Sequence, residues 1–242
     1  MAPNANISLK TFSDMYAGVK YKANGTLLRK RVKKNVMLTG KDAFIPPKSA
    51  NGLSEVFNDT ETAIYGASEI SSLGDLSGLY CGVIDVSKAT KLTELKIGNS
   101  TTGYFNDNFR DIQLGNNRLL KKIDLTNCRG LGIAGKSPQK SLNVSGCPNI
   151  EEILVKGTSL ESINLPASGY ITKLELPNTL TGLNIRNQMY LTNSGILLDD
   201  YSKLKKLRIE NCKNIDTLAL LRNCIDSSNN FTVERIKLTG ID

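Results

Sequence analysis

Apolar residues recur along most of this chain in one short phrase: an apolar residue, two variable positions, then apolar-x-apolar. Within residues 150–188 the phrase occurs four times, as Ile150/Ile153/Val155, Leu160/Ile163/Leu165, Ile171/Leu174/Leu176 and Leu180/Leu183/Ile185. The centres Ile153, Ile163, Leu174 and Leu183 step by 10, 11 and 9 residues. Earlier copies are Cys81/Ile84/Val86, Leu92/Leu95/Ile97, Phe109/Ile112/Leu114 and Leu120/Ile123/Leu125. Leu142/Val144 carries Gln139 in the leading position, and Leu204/Leu207/Ile209 and Val233/Ile236/Leu238 close the series. Each apolar-x-apolar piece is too short for a helix and suits a strand of about three or four residues. A fixed short period predicts a solenoid.

Five residues past the centres stand Asn117, Cys128, Cys147, Thr158, Thr179 and Cys212. The phrase is therefore LxxLxLxx(N/C/T), which resembles the leucine-rich-repeat superfamily. The resemblance implies that these Asn, Cys and Thr residues point inward after each strand and pair backbone carbonyls that the turn would leave unsatisfied. The period departs from that family, whose common members need about 20–29 residues per coil with one strand each. Strands every 9–11 residues fit a coil of about 21 residues with two strands, one per side. This is similar to the short or nested, BspA-like variety, as are the pieces Ile163-Asn164-Leu165-Pro166 and Leu174-Glu175-Leu176-Pro177. The expected fold class is a β-rich α/β solenoid of short parallel strands with few helices.

In a two-sided coil the middle residue of each strand faces solvent, and alternate strands share a face. One face then collects Gln113, Asn143, Asn164 and Asn184, joined by Asp85. The other collects Lys96, Asp124, Leu154 and Glu175. The amide strip is either a contact surface or a stack of amides that steadies neighbouring strands.

The ends differ from the body. Residues 1–50 hold ten Lys/Arg against Asp14 and Asp42, so the whole net charge of +8 sits there and the remaining residues balance. Asn24-Gly25 signals a hairpin turn, and Arg29, Lys30, Arg31, Lys33 and Lys34 lie on its outgoing arm. That run is a candidate anion-binding or nucleic-acid-binding arm or an import signal; equally it is a charged edge strand that resists edge-to-edge pairing. Residues 51–79 are a transition or cap, and residues 80–242 the solenoid. Asp216 is placed to cap a short helix over Thr217–Arg222. Gly240-Ile241-Asp242 follows a strand directly. Since solenoid ends need a polar cap, the repeat is expected to continue beyond residue 242 or to be covered by a partner.

The chemistry expected is correspondingly thin. The chain has no His, which removes His-based triads, bases and metal ligands. Its five cysteines, Cys81, Cys128, Cys147, Cys212 and Cys224, include no CxxC pair, so neither a zinc site nor a disulfide framework is predicted. Gly130 to Ser137 matches G-x4-G-K-[ST], and Gly195–Asp200 could follow it as a Walker B-like strand. Pro138 and the strand at Leu142 leave no room for the helix that a phosphate loop requires. Nucleotide binding is the remote alternative. The acid pairs Glu151-Glu152 and Asp199-Asp200 are adjacent, so on a strand they point apart and cannot act together. No cofactor is expected, no apolar run approaches the roughly 20 residues of a membrane span, and no signal peptide is visible at the N-terminus.

The segment Ile64-Tyr65-Gly66-Ala67, Leu73 to Gly82 and Asp85 to Leu92 resembles leucine-rich-repeat segments in structural proteins of tailed bacteriophages, especially those of gut bacteria; Asn149–Glu152 and Leu180–Gln188 fit the same likeness. It implies a non-enzymatic virion component of the tail or adsorption apparatus, found in the virion or in the host cytoplasm before assembly. Its partners would be other virion subunits or a host surface receptor, with an anionic partner for the basic arm. A bacterial leucine-rich-repeat adhesin or effector module is the alternative.

Overall fold

In the computed structural model the described residues are 35–38, 63–66, 70, 71, 73, 75–77, 82–225, 228 and 230–240. The Asn24-Gly25 hairpin, the basic arm of Arg29, Lys30, Arg31, Lys33 and Lys34, and Cys81 lie outside them. The chain winds as a parallel β-solenoid. Its strands are β1 (Asn35–Leu38), β2 (Ala63–Gly66), β3 (Val83–Asp85), β4 (Glu94–Lys96), β5 (Asp111–Gln113), β6 (Lys122–Asp124) and β7 (Ser141–Asn143). They continue as β8 (Glu152–Leu154), β9 (Ser162–Asn164), β10 (Lys173–Glu175), β11 (Gly182–Arg186), β12 (Ile196–Leu197), β13 (Lys206–Glu210) and β14 (Arg235–Thr239).

From β3 to β13 successive strands alternate between two sides of the coil. One side is an unbroken five-stranded sheet, β4-β6-β8-β10-β12; the other carries β1-β2-β3-β5, then β7-β9, then β11-β13-β14. All of these strand pairs are parallel. The sheet therefore reaches back to β1 and β2, within the stretches read from the sequence as an arm and a transition.

The coil length is not constant. In-register partners are 21 residues apart from Leu142 to Ile163 and from Ile153 to Leu174. They are 28 apart from Ile84 to Ile112, 30 from Ile123 to Ile153 and 29 from Leu207 to Ile236. The added length lies in loops such as 97–110 and 125–140. Those loops pack on each other: the Arg129 guanidinium donates to both Asp107 carboxylate oxygens at 2.9 and 2.8 Å and covers the Phe105 ring. The α/β character expected from the sequence amounts, among the described residues, to one five-residue helix, α1 (Thr217–Leu221), and a single 3-10 turn at Asn193–Gly195. The Asp216 carboxylate caps α1 by accepting from the Ala219 N–H at 3.0 Å.

Both sides share one core. The phrase centres Ile153, Ile163, Leu174 and Leu183 are all buried, as are the flanking Val155, Leu160, Leu176 and Ile185. Burying each such side chain contributes about 1.5–3 kcal/mol, so a core of Leu and Ile suffices without Trp. Strands stay short because each ends in a sharp corner. Left-handed residues recur there, among them Asn127, Gly157, Asn187, Asn211 and Gly240. At Gly157, whose φ is positive, an added Cβ would press on the Asn127 side-chain oxygen of the preceding coil, so a larger residue is strained at this stacked corner.

Candidate outer-face site

Asn117, Cys128, Cys147, Thr158 and Cys212, each five past its centre, line the interior, and Thr179 is half-buried. The Asn117 amide is buried and donates to the Ala89 carbonyl of the previous coil at 2.8 Å. The Thr158 hydroxyl donates to the Val155 carbonyl, the Thr179 hydroxyl to the Leu160 carbonyl and the Cys212 thiol to the Glu210 carbonyl. Cys128 and Cys147 are fully buried. Burial pushes the Cys147 and Cys212 thiols up, and Cys224 up to about 11. Those three thiols are poor nucleophiles near neutrality. Gln188 belongs to the same series, five past Leu183, and is also fully buried; its amide donates to the Pro166 and Arg186 carbonyls.

The Gly130–Ser137 segment forms turns rather than the start of a helix. Lys136 is exposed, and the Ser137 hydroxyl donates to the Arg110 carbonyl and accepts from the Gln139 N–H. The adjacent acids have separate partners: Glu151 with Lys121, Glu152 with Lys122, Asp199 with Lys156, and Asp200 with the Ser202 N–H. Among the described residues no group of three or more Cys, Asp or Glu side chains could hold a metal ion, and no helix is long and apolar enough to cross a membrane.

The amide strip is where the two faces part. Asp85 stands in register with Gln113, Asn143 with Asn164, and Asn184 with Arg208 and then Lys237. The four amides are exposed on one side of the solenoid, yet they are not equivalent. The Gln113 amide donates to Asp111. The Asn143 side-chain oxygen accepts from the Ser145 N–H and hydroxyl, as the Asp85 carboxylate accepts from the Ser87 N–H. The Asn164 and Asn184 side chains have no hydrogen-bond partner among the described residues. Local sequence explains the difference. Two residues after Asn164 comes Pro166, which has no N–H to offer. Two residues after Asn184 comes Arg186, still within β11 and hence extended.

Asn164 and Asn184 open onto a groove of about 730 Å³ over β9, β11, β13 and β14. Its far side is basic. Lys206 and Arg235 stand in register, as do Arg208 and Lys237. Arg208 and Lys237 share one carboxylate, Glu210, at 2.7 and 3.0 Å. Arg208 first and Lys237 second hold the Glu210 carboxyl down at about 2. Glu234 pairs with Lys205 at 3.5 Å. Lys206 and Arg235 have no ion-pair partner among the described residues. Gly182 sits between Ser162 and Lys206 in the outward row, and a Cβ added there would meet only the Lys206 Cβ, at 3.8 Å. These basic residues were missed from the sequence, although Arg208 and Lys237 occupy the middle position of the last two phrases. Comparison with protein-family models, curated proteins and solved structures yields no match to the chain.

Proposed function

We propose that this chain is a non-enzymatic interaction protein that presents one outer face of a leucine-rich-repeat-like solenoid to a partner. The observation that carries the reading is the pair of exposed, unbonded amides Asn164 and Asn184 in line with Arg208 and Lys237. Exposed polar groups that serve neither a turn nor a neighbouring coil are available to bind. The leucine-rich-repeat affinity is supported by the inward Asn117, Thr158 and Cys212 bonds and by the 21-residue register of the middle coils. The resemblance of the Ile64–Leu92 segment supports a place for such a face in the tail or adsorption apparatus of a phage, for subunit assembly or receptor contact.

Two measurements test this reading. Immunogold labelling of purified particles with an antibody against the chain is expected to mark the tail; label confined to the soluble fraction of the lysate counts against a virion role. Retention of the chain on an array of surface proteins and glycans is expected to fall in Asn164→Ala/Asn184→Ala/Arg208→Ala and to persist in Lys122→Ala/Lys173→Ala on the opposite face. Equal retention by all three chains overturns the assignment of the face.

A further inference from the structure

We propose that the groove over β9, β11, β13 and β14 binds a carboxylate-bearing polysaccharide laid along the solenoid axis, its hydroxyls met by Ser162, Asn164 and Asn184 and its carboxylates by Lys206 and Arg235, with Arg208 and Lys237 beside them. This rests on the reading that this face is the contact surface, and it names the occupant. Charge is the first argument. Four cations project from β13 and β14, while the nearby acids Glu210 and Glu234 are already engaged, one of them by two cations at once. The excess charge favours an anion.

Hydrogen-bond chemistry is the second argument. An amide both donates and accepts, as does the Ser162 hydroxyl. A sugar hydroxyl offers the same pair, whereas a phosphate backbone offers acceptors alone. No aromatic side chain lines the groove, so the stacking platforms of single-stranded nucleic-acid sites are missing from it. Spacing is the third. Side chains in register repeat across the strands at about 4.8 Å, close to one sugar ring per strand. An acidic peptide in extended form presents same-side residues only every ~6.6 Å and falls out of step. Gly182 leaves the floor open for a ring.

The test uses the full chain and polygalacturonate as probe, with dextran as the neutral control and polyglutamate as the acidic-peptide control, by calorimetry at two salt concentrations. Polygalacturonate is expected to bind and dextran not to. Lys206→Gln/Arg235→Gln should weaken binding roughly tenfold or more and flatten its salt dependence. Asn164→Ala/Asn184→Ala should weaken polygalacturonate and leave any residual polyglutamate binding unchanged. Gly182→Leu, which has room for its side chain, should block the groove while its circular dichroism matches the parent. Polyglutamate or single-stranded DNA binding as tightly as polygalacturonate overturns the proposal, as does indifference to Gly182→Leu. If the array retention described above is lost in the strip variants but polygalacturonate does not bind, the ligand class is wrong and the contact face stands. If retention is undiminished in them, both fall.

Discussion

The two outer faces of this solenoid are built from the same phrase, yet they use their polar residues in opposite ways. The sheet β4-β6-β8-β10-β12 runs unbroken, and three of its charge pairs close within and between coils: Asp75 with Lys96 at 2.6 Å, Lys122 with Glu152 at 3.0 Å, Lys173 with Glu175 at 2.7 Å. The opposite side is interrupted twice, between β5 and β7 and between β9 and β11. At each break a glutamine side chain bonds backbone groups. Gln139 accepts from the Ile112 N–H at 2.9 Å and donates to the Ser141 carbonyl at 3.0 Å, while Gln188 donates to Pro166 and Arg186. Past the second break, Asn184 stays unbonded and Lys206 and Arg235 lack ion-pair partners among the described residues. One face spends its polarity on itself; the other keeps part of it for something else.

That contrast stops at the surface, since both faces stand on one core. Leu174 under β10 and Leu183 under β11 are equally enclosed. Leu174→Ala and Leu183→Ala are each expected to cost about 2–5 kcal/mol in chemical denaturation. If one of them were nearly neutral, the two sides would not share a core and the comparison would reach deeper than polar residues. A smaller effect separates the faces directly. Gln139→Ala leaves the Ile112 N–H without its acceptor and is expected to cost about 1–3 kcal/mol, with faster hydrogen exchange at that amide. Lys122→Ala, which breaks an exposed ion pair on the continuous face, should cost less than about 1 kcal/mol. Reversal of that order would mean that the ion pairs, and not the glutamine, hold the coils in register.

Much of the architecture was legible because the phrase states its own geometry. Alternation at Leu142-Asn143-Val144 or Leu183-Asn184-Ile185 assigns inside and outside without knowledge of the rest. The register of alternate strands follows wherever the period is near 21, as between Asn143 and Asn164. It fails where loops lengthen. Asn184, Arg208 and Lys237 are in register at steps of 24 and 29 residues, and no fixed period joins them. The basic end of the groove was therefore hidden although every residue of it was in view. Gln139 stood out as a polar residue in an apolar position, but that it replaces a strand-to-strand bond depends on which coil lies beside it. The division of the amide strip was half visible. Pro166 after Asn164 and Ser145 after Asn143 are in the sequence, but their meaning depends on the corner that follows the strand.

The finest test of the comparison lies in Glu210, the acid among the described residues that answers two cations of the open face. Its carboxyl is held down at about 2 by Arg208 and Lys237, whereas in an unfolded chain it titrates near ~4.3. The folded form therefore binds this proton less readily than the unfolded form. The resulting stabilisation is fully present above the unfolded value and is lost as pH falls from there towards about 2. Glu210→Gln removes that dependence, so the variant should be less stable than the parent at neutral pH, and the two denaturation curves should draw together across that acid window. Releasing Arg208 and Lys237 should at the same time tighten polygalacturonate binding at neutral pH. Curves that stay parallel down to pH ~2, at the lower end of that window, would mean that Glu210 does not hold those cations, and the open face would then lack the restraint that distinguishes it from a bare basic patch.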